Sequence, residues 1–168
     1  MNRRGFILVE ISVAYVLLTV GLVALLPVFV MAIKASKSTE KLQVSTYLSQ
    51  ELLEEIRLRK WDQSSAATAS YVATPTVIGI DAGETATNKL TFNDIDDFNG
   101  WTESPPRDPL NNTIPSFSGY TRSVTVAYAN SSLVVLSTPT TSDYKLVSVC
   151  TRTAATNSIC LTSLFTNR

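Results

Sequence analysis

The side chains able to do chemistry in this chain lie in three places. Asp94, Asp96 and Asp97 put three carboxylates into four residues of the stretch Phe92-Asn93-Asp94-Ile95-Asp96-Asp97-Phe98-Asn99-Gly100-Trp101. Carboxylate oxygens at that density are ligands for a hard cation, so calcium is the cofactor to weigh. The fit to an EF-hand is poor, because counting from Asp94 the fifth, sixth and twelfth positions fall on Phe98, Asn99 and Pro105. A capped, turn-rich loop is the preferred reading. Cys150 and Cys160, the only cysteines, offer a disulfide, two free thiols or half of a zinc site. Glu10 is a lone carboxylate at the head of 23 uncharged residues, 11–33. Histidine is absent, which removes the usual general base, the neutral zinc ligand and the middle member of a Ser-His-Asp triad. Two soft ligands without an imidazole make zinc a poor fit. With no converging acid, base and nucleophile, the chain is not expected to be an enzyme.

The elements that must carry these residues divide sharply. Residues 11–33 make about 35 Å of helix at about 1.5 Å per residue, enough to cross a bilayer. Leu17, Leu18, Val20, Leu22, Val23, Leu25 and Leu26 point all around its axis, so it needs lipid or other helices on every side. Arg3 and Arg4 precede the run, which sets the N-terminus inside and exports the rest. Neither the length of the run nor its exit flank suits a cleaved secretory signal. The plain reading is a single-pass anchor, but a carboxylate buried in such a helix costs up to about 3 kcal/mol at the bilayer centre and usually has a partner. Pro27 removes a backbone hydrogen bond mid-span, where it would loosen the helix.

Arg3-Arg4, then Gly5-Phe6, then Ile7-Leu8-Val9, then Glu10 and the apolar run stand in that order. This order resembles the processing motif of type IV prepilins and pseudopilins, in which a short basic leader ends in Gly. The resemblance implies an α+β, type IV pilin-like fold: a long N-terminal helix packed on a C-terminal antiparallel sheet. It implies that residues 1–5 are a leader, that a prepilin peptidase of a bacterial inner membrane cuts after Gly5, and that Phe6 becomes the N-methylated terminus. The new amine would pair with Glu10 of a neighbouring subunit and set the axial step of a filament. Pro27 agrees, since many type IV pilins carry a proline in this part of the helix. The implied partners are other pilin subunits, the peptidase and the assembly machinery. The implied location is the inner membrane, N-in and C-out, and then an extracellular or periplasmic fibre.

Beyond the span, 6–33, an amphipathic continuation is expected over 34–60, because Val44, Leu48, Leu52 and Ile56 recur every four residues with Tyr47 and Leu53 beside them. Glu55 can pair with Arg59, and Glu54 with Arg57. The globular region, 61–168, begins with a long Pro-punctuated stretch, Trp61 to Gly119, in which Lys89-Leu90-Thr91-Phe92 is the expected strand. The part through Pro106 resembles the mid-region of minor pilins of the V type. From Gly119 onward the pattern is β. Tyr120 to Tyr128 alternates, Asn130-Ser131-Ser132 is a turn, and Leu133 to Leu136 is the expected return arm. A second hairpin joins Tyr144–Thr151 to Ile159–Phe165, with Cys150 facing Cys160, Ser148 facing Thr162 and Leu146 facing Leu164. Two cysteines in an exported domain then read most simply as a disulfide, as in the C-terminal loop that type IV pilins commonly carry. The sequons at Asn111 and Asn130 carry no weight in a bacterium.

Charge is balanced at 14 basic against 14 acidic residues, while 19 Ser and 21 Thr solvate the surface, as suits an exported β-rich module. After Trp61 six basic residues face nine acidic ones, the wrong sign for phosphate contacts, so no nucleic-acid partner is expected. The expectation is a structural minor pilin. The alternatives are an I-type pseudopilin of type II secretion, or a tip subunit for adhesion or DNA uptake that uses Trp61, Phe98, Trp101 and Tyr120 as contacts.

Overall fold

The computed structural model describes residues 3–65, 71–137, 140–154 and 158–167, with side chains from Leu8 onward. The chain forms two compact units, Met1–Lys41 and Leu42–Arg168. One helix, α1 (Arg3–Arg57), supplies all of the described first unit and the opening of the second. At about 1.5 Å per residue it is about 80 Å long. It is assigned as helix without a break through Pro27.

In the second unit the last turns of α1 pack on a four-stranded antiparallel sheet of order β1-β2-β3-β4. The strands are β1 (Thr102–Glu103), β2 (Tyr120–Tyr128), β3 (Tyr144–Thr153) and β4 (Ile159–Thr166). Alternation places Val124, Val126, Val147 and Val149 on the face toward the helix, where Leu52, Leu53 and Ile56 meet them. Leu48, Leu52 and Ile56 of the expected stripe are fully buried, Val44 is half-buried and Tyr47 stays exposed. Phe92, Phe98 and Trp101 complete the core, with Phe92 edge-on to both rings at 5.0 and 5.2 Å between centroids.

The β3–β4 hairpin has the expected register, pairing Leu146 with Leu164, Ser148 with Thr162 and Cys150 with Cys160. Three expectations are corrected. The helix stops at Arg57 rather than Lys60, because residues 93–95 capture the backbone of Lys60. Its N–H donates to Asn93 O, and its own carbonyl accepts from Ile95 N–H at 3.0 Å. Lys89 and Leu90 form a turn, not a strand: Lys89 is drawn inside by carboxylates, and the short strand falls at Thr102–Glu103 instead. Leu133–Leu136 pairs back only briefly and forms no full strand. The Asn130-Ser131-Ser132 turn is present, with Asn130 Oδ1 accepting from Ser132 and Val134 N–H. A short return follows it, the Ala129–Val135 bridge with Asn130 N–H donating to Val134 O at 2.9 Å and Leu136 N–H to Tyr128 O at 2.8 Å, while the strand partner of β2 is β3.

Candidate functional site

The described side chains of the first unit expose their apolar groups on every face, from Leu8 at 69% to Ile33 at 57%. The helix is long and apolar enough to cross a membrane. Two of its hydroxyls are satisfied within the helix, Ser12 donating to Leu8 O and Thr19 to Val16 O, so neither needs water. Glu10 is exposed and makes no ion pair among the described residues. Pro27 lies within the exposed stretch. Gly5 and Phe6 are in the helix, though their side chains fall outside the described set, as do Met1 and Asn2 altogether.

Cys150 and Cys160 are joined by a disulfide across β3 and β4. Each is a strand neighbour of a core-facing residue, so the bond sits on the sheet face turned away from α1.

The second unit is unusually charged inside, and its buried charges fall into three groups. In the first, Glu103 accepts from Arg122 Nε at 2.8 Å, from Trp101 Nε1 at 3.0 Å and from the Arg107 amide at 2.9 Å, with Lys89 Nζ 3.2 Å away. Arg122 also reaches Glu51 and the Leu48 carbonyl, and Lys89 reaches Glu55 at 2.8 Å, so the group clamps α1 to the sheet. Burial alone would raise the Glu103 carboxyl. The Arg122 and Lys89 charges and the donated hydrogen bonds outweigh it and hold the group below the usual carboxylate range.

The second group centres on Lys145, 2.7 Å from the Asp96 carboxylate and 3.6 Å from Asp62, and 3.9 Å above the Trp61 ring. Asp62 is fixed in turn by Ser64 and Thr76. Burial works against its ionised form, yet these hydrogen bonds keep its pKa below the ordinary value.

The third group is acidic throughout. Asp94 and Asp97, 0% and 1% exposed, approach Asp81, and one carboxylate oxygen from each of the three lies within 4.8 Å of the others. Burial, with Asp97 beside it, pushes Asp94 up to about 6. Burial and a hydrogen-bond contact with Asp97 push Glu84 up to about 7. The triplet Asp94, Asp96 and Asp97 read from the sequence therefore does not converge. Asp96 turns to Lys145, and Asp81, thirteen residues upstream of Asp94, takes its place.

Sequence reasoning missed Lys89, Glu103, Arg122 and Lys145, which no motif marks. The available signal was the presence of charged residues inside otherwise apolar alternation, as at Arg122 and Lys145. The aromatic contact set is also corrected. Trp61, Phe98 and Trp101 are core residues at 3%, 0% and 7% exposure, and half-buried Tyr120 stands edge-on to Phe117. No protein-family model matches the chain, and neither a curated protein nor a solved structure matches it. The functional reading therefore rests on the residues themselves.

Proposed function

We propose that this chain is a structural minor subunit of a type IV pilus. It would be inserted N-in and C-out in a bacterial inner membrane, cleaved after Gly5, N-methylated on Phe6 and polymerised through α1. The observation that carries the reading is a continuous helix whose stretch 11–33 is apolar and exposed on every face, with the one acid before that stretch, Glu10, five residues beyond a basic, Gly-ended segment. In lipid such a helix is solvated. In a fibre its copies bury one another, and Glu10 meets the new amine of an adjoining subunit. The α+β layout, with the helix end on an antiparallel sheet and a C-terminal disulfide, supports a pilin-like fold. The large stapled unit favours a pilus subunit over an I-type pseudopilin. The tip-contact alternative loses Trp61, Phe98 and Trp101 to the core and keeps only half-buried Tyr120.

Intact-mass analysis of protein recovered from sheared fibres tests this. The expected mass lacks Met1 to Gly5 and carries one added methyl group. A chain still bearing Met1 in the fibre would overturn the proposal.

A further inference from the structure

From the third charge group we propose that Asp81, Asp94 and Asp97 form a calcium site that clasps two loops of the globular unit. The inference stands on geometry in the second unit and is independent of the filament reading.

The turn itself uses one oxygen of each buried carboxylate. Asp94 Oδ1 accepts the Asp96 amide at 2.7 Å and the Asp97 amide at 3.4 Å. Asp97 Oδ2 accepts the Asn93 and Asp94 amides at 2.9 and 3.0 Å. Those bonds fix both side chains and leave Asp94 Oδ2 buried with no hydrogen-bond partner, and Asp81 Oδ2 is in the same condition; Asp97 Oδ1 meets no N–H or hydroxyl donor, the Glu84 carboxyl being the group in hydrogen-bond contact with Asp97. An unpaired buried carboxylate oxygen is costly, and here such oxygens belong to residues whose carboxylates gather in one place. The other two buried groups each contain their own cations, Arg122 with Lys89 and Lys145. Among the described residues no Lys or Arg forms an ion pair with Asp81, Asp94 or Asp97.

A calcium ion fits this arrangement. Its oxygen ligands lie at about 2.3–2.6 Å, so ligand oxygens on opposite sides of it are separated by up to about 5 Å, and the three carboxylates are within 4.8 Å of one another. The donors are oxygens alone, which excludes a preference for the softer transition metals. Their irregular placement, on a loop and on the 3-10 turn Asp96–Phe98 with its flank, suits the flexible coordination of calcium better than the strict octahedron of magnesium. Asp97 also lines a cavity of about 270 Å3 beside Ile80, Asn99 and Trp101, which gives waters room to complete the shell.

The test uses the full chain in detergent micelles, stripped with EDTA and titrated with calcium chloride by calorimetry. One ion per chain should bind with a Kd on the order of 10⁻⁴ to 10⁻³ M, as in extracellular modules, and the melting midpoint should rise in millimolar calcium relative to EDTA. Asp94→Asn and Asp97→Asn should weaken binding by at least about tenfold, because each removes a ligand charge while keeping the shape of the turn. Asp81→Asn, at a partly exposed position, gives the same readout if either buried variant fails to fold. Asp108→Asn, at a half-buried acid outside the cluster, should leave binding unchanged. No heat and no midpoint shift in the wild-type chain would overturn the site. Unchanged binding in all the Asn variants, or equal binding of magnesium, would overturn it as a calcium site made by these residues.

Discussion

Glu103 and Arg122 face each other across β1 and β2, both side chains shut away from water, with Arg122 Nε 2.8 Å from Glu103 Oε2. The pair joins the edge of the sheet to α1, because the same guanidinium also holds the Leu48 carbonyl and Glu51. Breaking such a pair leaves Glu103 in the interior with Lys89 as its one remaining cation and strips Glu51 of its partner, an outcome worse than never having had the charge. Arg122→Met is therefore expected to lose about 3–5 kcal/mol. Guanidinium unfolding followed by Trp fluorescence reads this directly, since Trp61 and Trp101 are the only tryptophans and both are in the core. A loss below about 1 kcal/mol, the scale of an exposed pair, would show that the contact is solvated in solution.

Acid should undo the same clamp. Glu103 faces Arg122 from β2, Lys89 and the Arg107 amide from the loops, Trp101 beside it, and Glu51 and Glu55 across the two cations from α1. Its folded pKa lies below the ordinary value, so its stabilising effect is complete above the unfolded carboxylate pKa of about 4.3 and is lost as pH falls through the folded one. Other carboxylates titrate too, so the useful quantity is the difference between wild type and Glu103→Gln. That difference should be full at neutral pH and vanish in acid. A difference that does not change with pH would refute the electrostatic account of Glu103.

How much of this was legible follows from which interactions are local. The β3–β4 hairpin could be read because its arms alternate and its Cys, Ser–Thr and Leu pairs all agree on one register. The helix was equally plain, its stripe of Leu48, Leu52 and Ile56 having no other use. Lys89-Leu90-Thr91-Phe92 alternates just as well, yet Glu55 and Glu103 pull Lys89 inward from opposite directions in sequence, and no window around Lys89 contains both. β1 is two residues long, too short to have a period. The expected return arm is cut to one bridge and its flanking hydrogen bonds, because β2 pairs along its whole length with β3. At the acidic cluster the dense triplet attracted attention, while Asp81, remote in sequence, is the residue that completes it.

Removing the disulfide should weaken the second unit without altering its core. Cys150 and Cys160 lie on the sheet face opposite Val147 and Val149, so Cys150→Ser with Cys160→Ser leaves the packed side chains in place. The eleven-residue loop they close is worth about 2.8 kcal/mol on the chain-entropy model. The double variant should melt lower than wild type by several degrees, and reducing the wild-type protein should reproduce the shift. Equal midpoints for all three would mean that the strand pairing alone holds the hairpin.

Glu10→Val separates anchoring from assembly. The substitution makes the head of the helix more apolar, so insertion in the membrane should be unchanged or improved. In the proposed fibre the same change leaves the amine of a neighbouring Phe6 buried without its counter-charge, at a cost of about 3–5 kcal/mol. Co-expressed with wild type, the variant should be present in membranes at parity and depleted from sheared fibres by at least about tenfold, since each 1.4 kcal/mol is a factor of ten. A shortfall in the membrane fraction would assign Glu10 to insertion instead. Equal incorporation would mean that the carboxylate has no partner in the fibre, and the axial step would then have to be set by the fit of apolar side chains alone.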